Sequence, residues 1–134
     1  MSDFEWGAEV EKALGSVSDT GDYREALAQL EGFAAALATY LGGASRVTVE
    51  AGFLTNLGQQ FRMHVQVPSQ SFQENLFRAY IPVDGFPVTL EFSDAETAET
   101  RDVAQLRNAI VEFLRRPAIG TRLAALRDLN SQSA

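Results

Sequence analysis

The side chains of this sequence that could carry acid–base or anion-binding chemistry fall on one face of a predicted sheet. They are the single histidine His64 together with Glu50, Arg62, Arg78 and Tyr80. A His–Glu pair can move a proton, and neighbouring guanidinium groups can hold a carboxylate or a phosphate. The same residue types also form ordinary cross-strand ion pairs. The second interpretation is favoured, because the solvent-facing side of an antiparallel sheet needs mixed polar residues in any case.

Other routes to catalysis are scarce. The chain has no cysteine, which excludes disulfides, thiolate metal sites and a cysteine nucleophile. With one histidine only an all-oxygen metal site is left, and no group of acids has calcium-loop spacing. Gly42-Gly43 follows a helix, which is the wrong context for a phosphate loop. We expect no metal, no cofactor and no catalytic residue, with a small-ligand or catalytic site around His64 as the alternative.

Two alternating hairpins are predicted to position these side chains. The first joins Arg46–Leu54 to Gln60–Val67. A three-residue loop with Gly58 at a positive-φ position would set Glu50 opposite His64. The residues expected on its buried face are Val47, Val49, Ala51, Phe53, Phe61, Met63, Val65 and Val67. Leu54 and Leu76 are expected at the ends of the outer face.

The second hairpin joins Asn75–Val83 to Phe86–Phe92 through Asp84-Gly85, a dipeptide typical of a type I′ turn. On one face this register pairs apolar residues, from Phe77 with Phe92 to Val83 with Phe86, and on the other it sets Arg78 against Glu91 and Tyr80 against Thr89. Pro82 and Pro87 would block an outer neighbour, so the turn is expected to project free with Phe86 as a candidate contact residue. Protection against edge pairing explains the prolines as well and is the favoured reason.

Helices flank the sheet on both sides. Apolar residues recur at helical spacing in 3–14, in Asp22–Leu41 before Gly42, and in Thr100–Arg116. Asp3 and Thr100 are the predicted N-terminal caps of the first and third of these helices. Pro117 is expected to start a last helix that ends near Leu129. The acidic residues 93–99 are predicted to be a connector.

The sequence therefore predicts an α+β two-layer sandwich in the order (α)-α-β-β-β-β-α-α, a four-stranded antiparallel meander with helices on one face. Residues 1–21 form an N-terminal amphipathic segment and linker, 22–130 a single domain, and 131–134 a frayed tail. With strand, proline, tight turn, Phe-Pro and strand in Phe77–Phe92, the order resembles RWD-like and ubiquitin-conjugating-enzyme-like domains. The resemblance implies the fold alone, because the active cysteine of that enzyme family has no counterpart here.

Charge separates the two ends of the chain. The net charge is −7, and residues 1–44 carry eight acids and two bases whereas residues 100–134 carry three acids and six arginines. The acidic balance disfavours nucleic acid as a partner and favours a basic or bipolar protein. The acidic start and the absence of a long apolar stretch predict a cytoplasmic protein that does not enter a membrane.

Two further features suggest contact with another protein. Arg115-Arg116 could meet the acidic N-terminal region of a second copy, although the dipole at a helix C-terminus favours arginines there anyway. Trp6 anchors an amphipathic segment that docks on this chain's own sheet near Tyr80, the favoured interpretation, or on a partner.

From these observations we predict a small non-catalytic protein-interaction module: an adaptor, a chaperone-like protein or an immunity-type protein. It would act through the charged sheet face and the acidic N-terminal and basic C-terminal surfaces, on a protein partner or on itself as a homodimer. The candidate binding residues are Trp6, Glu50, Arg62, His64, Arg78, Tyr80, Phe86, Arg115 and Arg116.

Overall fold

A computed structural model describes residues 5–18, 21–43, 45–67 and 72–132. The elements in chain order are α1 (Trp6–Ser18), α2 (Gly21–Leu41), β1 (Arg46–Thr55), β2 (Gly58–Val67), β3 (Phe72–Ile81), β4 (Val88–Phe92), β5 (Thr97–Thr100), α3 (Val103–Arg115) and α4 (Pro117–Gln132). The strands form one antiparallel sheet in the order β1-β2-β3-β4-β5. The predicted α+β class and meander topology are confirmed, with five strands in place of four.

One hydrophobic core joins α2, α3 and α4 to the sheet. Phe113 of α3 is fully buried within it, stacked on Phe92 with ring centroids 4.7 Å apart and edge-on to Phe77 at 6.1 Å. Most apolar positions that the helical spacing predicted in α2, α3 and α4 point into this core, including Leu30 of α2 and Ile110 of α3. The helical periodicities therefore identified the buried faces.

The fifth strand lies where a connector was predicted. After β4 the chain turns through Ala95, a non-glycine residue at φ 71°, and the Phe92 amide donates to the Glu96 carbonyl over 2.8 Å. Thr100 ends β5 and donates to the Val88 carbonyl over 3.0 Å, so it is not the cap of α3. That cap is Asp102. A four-residue strand after a turn without glycine carries too little pattern to be recognised in a sequence.

A β-bulge changes the first hairpin. Asn56-Leu57 form a two-residue turn, and the pairing shifts between Ala51 and Leu54. Glu50 consequently lies opposite Arg62, whereas the predicted register placed it opposite His64. Within the bulge Phe53 is 79% exposed, so its predicted place on the buried face is wrong. A bulge places two residues opposite one and bends the strand, which carries this side chain away from the core.

A second bulge lies between β2 and β3, where the pairing shifts after Met63. Leu76 is buried there, at 1% exposure, although the alternating pattern placed it on the outer face. Glu74 lies opposite Val65 on the helix side of the sheet, where Arg122 of α4 forms an ion pair with it. The extra residue at the bulge explains both departures from simple alternation.

The second hairpin is closed by a longer loop than predicted. The register from Phe77↔Phe92 to Tyr80↔Thr89 is confirmed, but β3 ends at Ile81 and β4 begins at Val88. The Gly85 amide donates to the Pro82 carbonyl over 2.9 Å, and the Phe86–Pro87 peptide is cis.

This loop does not project free of the domain. Gly85 is buried against the first residues of α2, so close that a Cβ on it would lie 2.5 Å from the Asp22 backbone. Phe86 is half-buried and packs against the core, so it is not an exposed contact residue. Contact with the helix layer holds the loop in place, and the sequence pattern of the hairpin carries no information about that contact.

The bounds of α2 agree with the prediction to within one residue, whereas α3 begins at Val103, three residues after the predicted start at Thr100. The first and last helices differ from the prediction as well. α1 continues to Ser18, into the predicted linker, whereas Asp3, residues 19–20 and residues 133–134 lie outside the described part of the chain. Gly42 follows α2 at φ +64°, and Pro117 is the first residue of α4. α4 runs to Gln132, and Leu129 is 46% exposed although its spacing placed it on the buried stripe.

Candidate functional site

The outer sheet face carries a row of four charged side chains. Cross-strand pairing sets Glu50 beside Arg62, Arg62 beside Arg78, and Arg78 beside Glu91. The Arg62 guanidinium bonds to Glu50, and Arg78 Nη1 donates to Glu91 Oε1 over 3.0 Å. Each arginine therefore has a carboxylate of this chain beside it. Ion pairs this exposed contribute about 0.2–1 kcal/mol each.

His64 is buried on this face, with 6% exposure, and is not the solvated residue that the alternation predicted. It is flanked by Thr48 on β1 and Asn75 on β3, next to the β2–β3 bulge. Its Nε2 lies 3.3 Å from Glu50 Oε2, so the predicted contact exists as a diagonal pair. Because Arg62 engages the other oxygen of the same carboxylate, Glu50 is shared between the two groups.

The predicted ligand-site residues lie side by side on the sheet, but the cavity beside Arg78 is not lined by the others. Tyr80 is buried, and its hydroxyl accepts from Gln60 Nε2 over 3.2 Å. A cavity of about 430 Å³ at the other end of β3–β5 has Arg78 and Glu91 in its wall, but His64 and Glu50 are not among its lining residues. Within the described residues no three His, Asp or Glu side chains come together as metal ligands. The geometry supports ion pairing more than it supports a ligand pocket.

The C-terminal arginines, predicted as a basic patch, contact other groups of this chain. Their partners are Glu99 for Arg101, Gln29 for Arg107, Glu112 for Arg115, Asp94 and Glu96 for Arg116, Glu74 for Arg122, and the Tyr40 ring for Arg127. At least four of these arginines meet acidic side chains. Much of the predicted patch is therefore neutralised within the molecule.

Arg116 links the α3–α4 junction to the β4–β5 turn. It bonds to Asp94 and lies 2.9 Å from Glu96 Oε2, and its guanidinium is 4.9 Å from the centre of the Phe92 ring and 5.5 Å from that of Phe113. The hydrogen bond from Arg116 holds the pKa of the Asp94 carboxyl below its ordinary value. These contacts indicate a structural role for Arg116, which holds the β4–β5 turn against the α3–α4 junction.

Asp94 should therefore make stability depend on pH. A carboxyl whose pKa is lowered by folding stabilises the protein fully above its unfolded pKa, about 4, and loses that contribution as the pH falls through the lower folded value. We expect Asp94→Asn to reduce the loss of unfolding free energy between pH 5 and pH 2, measured by urea denaturation, relative to the unsubstituted chain. Asp84→Asn, at an exposed loop residue, is the matched control. Equal pH profiles for the parent and Asp94→Asn would contradict this assignment.

A surface that the sequence did not predict lies at the β1–β2 hairpin end. Phe53 and Leu54 are 79% and 78% exposed, and Leu57 and Val83 are also largely exposed. Beside them runs a groove of about 510 Å³, whose lining includes Leu54, Ile81 and Val83. Gly52, inside a predicted strand, was the sequence feature that could have indicated the bulge. Exposed apolar groups clustered in this way are typical of contact surfaces.

The predicted docking of Trp6 on the sheet is not what the structure shows. Trp6 is 73% exposed and Val10 is 46% exposed, and every side chain from residue 5 to residue 13 is exposed. Trp6 and Val10 therefore face solvent in this structure.

The fold and these surfaces define a small α+β domain with a paired charged sheet face and two exposed apolar regions. No family model, no curated protein and no solved structure matches the chain. Among the described residues, no helix is both long enough and apolar enough to cross a membrane.

Proposed function

We propose that this protein is a small interaction module that binds an extended, apolar segment of a partner protein at β1 and the β1–β2 hairpin end. The observation that carries the proposal is the exposure of Phe53 and Leu54, 79% and 78%, on the outermost strand of the sheet. Large neighbouring apolar side chains left in water are costly unless a partner covers them.

The edge of β1 supports an extended partner. β1 is ten residues long, and within the described residues the sheet has no strand beyond it. An open edge offers backbone N–H and C=O groups to an added strand, and proteins commonly protect such edges with proline, lysine or short length. β1 contains neither residue type, whereas β5 at the opposite edge has only four residues. The bulge in β1 also protects an edge, but it lies between Ala51 and Leu54, so residues 46–51 keep a regular edge. Strand addition would supply backbone hydrogen bonds, and the apolar hairpin end would supply selectivity.

The charged sheet face then has a secondary role. Its arginines are already paired with Glu50 and Glu91, so the face would orient a bound partner more than it would attract one. A catalytic or small-ligand site around His64 has weaker support, because Glu50 is shared with Arg62 and the cavity beside Arg78 is lined by other residues. Adaptor, chaperone-like and immunity-type roles all fit a contact surface of this kind.

The proposal can be tested by selecting peptides that bind this protein from a displayed library of random sequences. Selected peptides should alternate apolar and polar residues and should shift amide resonances in residues 46–55. The double variant Phe53→Ser, Leu54→Ser should bind them at least tenfold more weakly, about 1.4 kcal/mol. Because both side chains are exposed, its free energy of unfolding should change by no more than about 0.5 kcal/mol per substitution.

Val111→Ser is the matched control, an exposed apolar residue on α3. It should leave peptide affinity unchanged. Peptides that bind the double variant as tightly as the parent, or that shift resonances only in the helices, would overturn the proposed site.

A further inference from the structure

A second apolar surface lies on the helix layer, away from β1. We propose that it binds α1 of a second copy of this chain, so that two copies exchange their N-terminal helices. This inference is independent of the proposed function, because it concerns a different surface and a different occupant.

The groove lies between α2 and the two C-terminal helices and has a volume of about 380 Å³. Its lining is almost entirely apolar: Phe33, Ala36, Leu37, Tyr40, Leu114, Gly120 and Leu123. Tyr40 is 45% exposed at one end of it. A groove of this size and composition accommodates the apolar face of an amphipathic helix.

An arginine lies toward each end of this groove. Arg107 Nε donates to the neutral Gln29 side chain over 2.8 Å, and the Arg127 guanidinium lies 4.7 Å from the centre of the Tyr40 ring. Along the axis of α2 the groove lining runs about 10 Å from Phe33 to Tyr40, and Gln29 lies one further turn beyond Phe33, about 16 Å from Tyr40. The groove thus combines an apolar floor with positive charge toward its two ends.

α1 matches this groove in length, apolar pattern and charge. Its 13 residues span about 20 Å. Trp6 and Val10 are exposed and lie one turn apart on the same side of the helix. The segment is acidic: it carries Glu5, Glu9 and Glu11 against the single base Lys12. Acids on the helix opposite arginines at the groove provide complementary charge.

A second copy is the occupant that this structure favours. Residues 5–13 are exposed here, so α1 does not bury them in the groove of its own chain. Reciprocal exchange gives each copy one donated helix and one filled groove, which produces a closed two-fold dimer with two identical contacts.

The experiment combines sedimentation of the full chain over a range of concentrations with tryptophan emission, since Trp6 is the only tryptophan. We expect a dimer whose formation coincides with a blue shift of the emission. Ala36→Glu places a carboxylate in the groove at an exposed helix position, and it should raise the dimer dissociation constant at least tenfold. Ala28→Glu, the same change at an exposed position of α2 outside the groove lining, should leave it unchanged.

Three outcomes would overturn the exchange. They are a monomer at every concentration, a blue-shifted emission in a monomer (which would mean docking on the same chain), and equal weakening by Ala36→Glu and Ala28→Glu. The Phe53→Ser, Leu54→Ser variant should dimerise normally, which separates failure of this inference from failure of the proposed function.

Discussion

Replacing Phe113 with alanine is expected to lower the free energy of unfolding by about 3–5 kcal/mol. The side chain is fully buried, and its ring contacts Phe92 and Phe77, which belong to two different strands. The guanidinium of Arg116 also lies over it. The substitution removes aromatic contacts with both strands and leaves a cavity in a region where helix and sheet meet. Since domains of this size are stabilised by only about 5–15 kcal/mol, the loss is a large share of the total.

Urea denaturation followed by circular dichroism measures this effect. Val111→Ala on the same helix is the control, because that side chain is largely exposed and its truncation should cost less than about 0.5 kcal/mol. Phe113→Leu should fall between the two. If Phe113→Ala were as mild as the control, the packing of α3 on β4 described above would be wrong.

Gly85→Ala is expected to destabilise the protein by about 2–6 kcal/mol, a large effect for one added methyl group. Two penalties combine, each about 1–3 kcal/mol: a positive φ, here +97°, that alanine rarely adopts, and overpacking. The added Cβ would lie 2.5 Å from the Asp22 backbone and 2.7 Å from the Tyr23 nitrogen. Backbone atoms of a helix cannot move aside as the end of a flexible side chain can.

Gly42→Ala is a close control for this prediction. Gly42 also has a positive φ, +64°, but nothing lies within 4 Å of the position that an added methyl group would occupy. It should therefore show the conformational penalty alone, about 1–2 kcal/mol. Similar losses at the two glycines would show that the β3–β4 loop is free of α2, as the hairpin pattern alone predicted.

The sequence pattern predicted those features that depend on one helix alone. The spacing of Leu30, Leu106 and Ile110 predicted which faces of the helices are buried, since helical periodicity repeats over several turns. Pro117 marked the start of α4 for a reason internal to the chain, its fixed φ and missing N–H.

The candidate site was predicted only in part. Glu50, Arg62 and Arg78 do lie on the outer face, and Arg78 pairs with Glu91 as the register required, but Leu76 is buried and so is His64. Glu50 and His64 do contact each other, but as diagonal neighbours, because the two-residue turn and the bulge at Gly52 each shifted the register by one residue. The exposure of Phe53 and Leu54 follows from the same bulge, which one inserted residue produces without disturbing the hydrophobic pattern.

By itself, the sequence determined the class of fold, the order of most elements and the faces of its helices, because those depend on interactions between residues close in the chain. Tertiary structure decided the burial of His64, the place of Gly85 against α2, and the pairing of Arg116 and Arg122 with distant acids. These features depend on which segments meet in space. A single extra residue in a strand can change which side chains come into contact, while the alternation of apolar and polar residues in the sequence stays nearly the same.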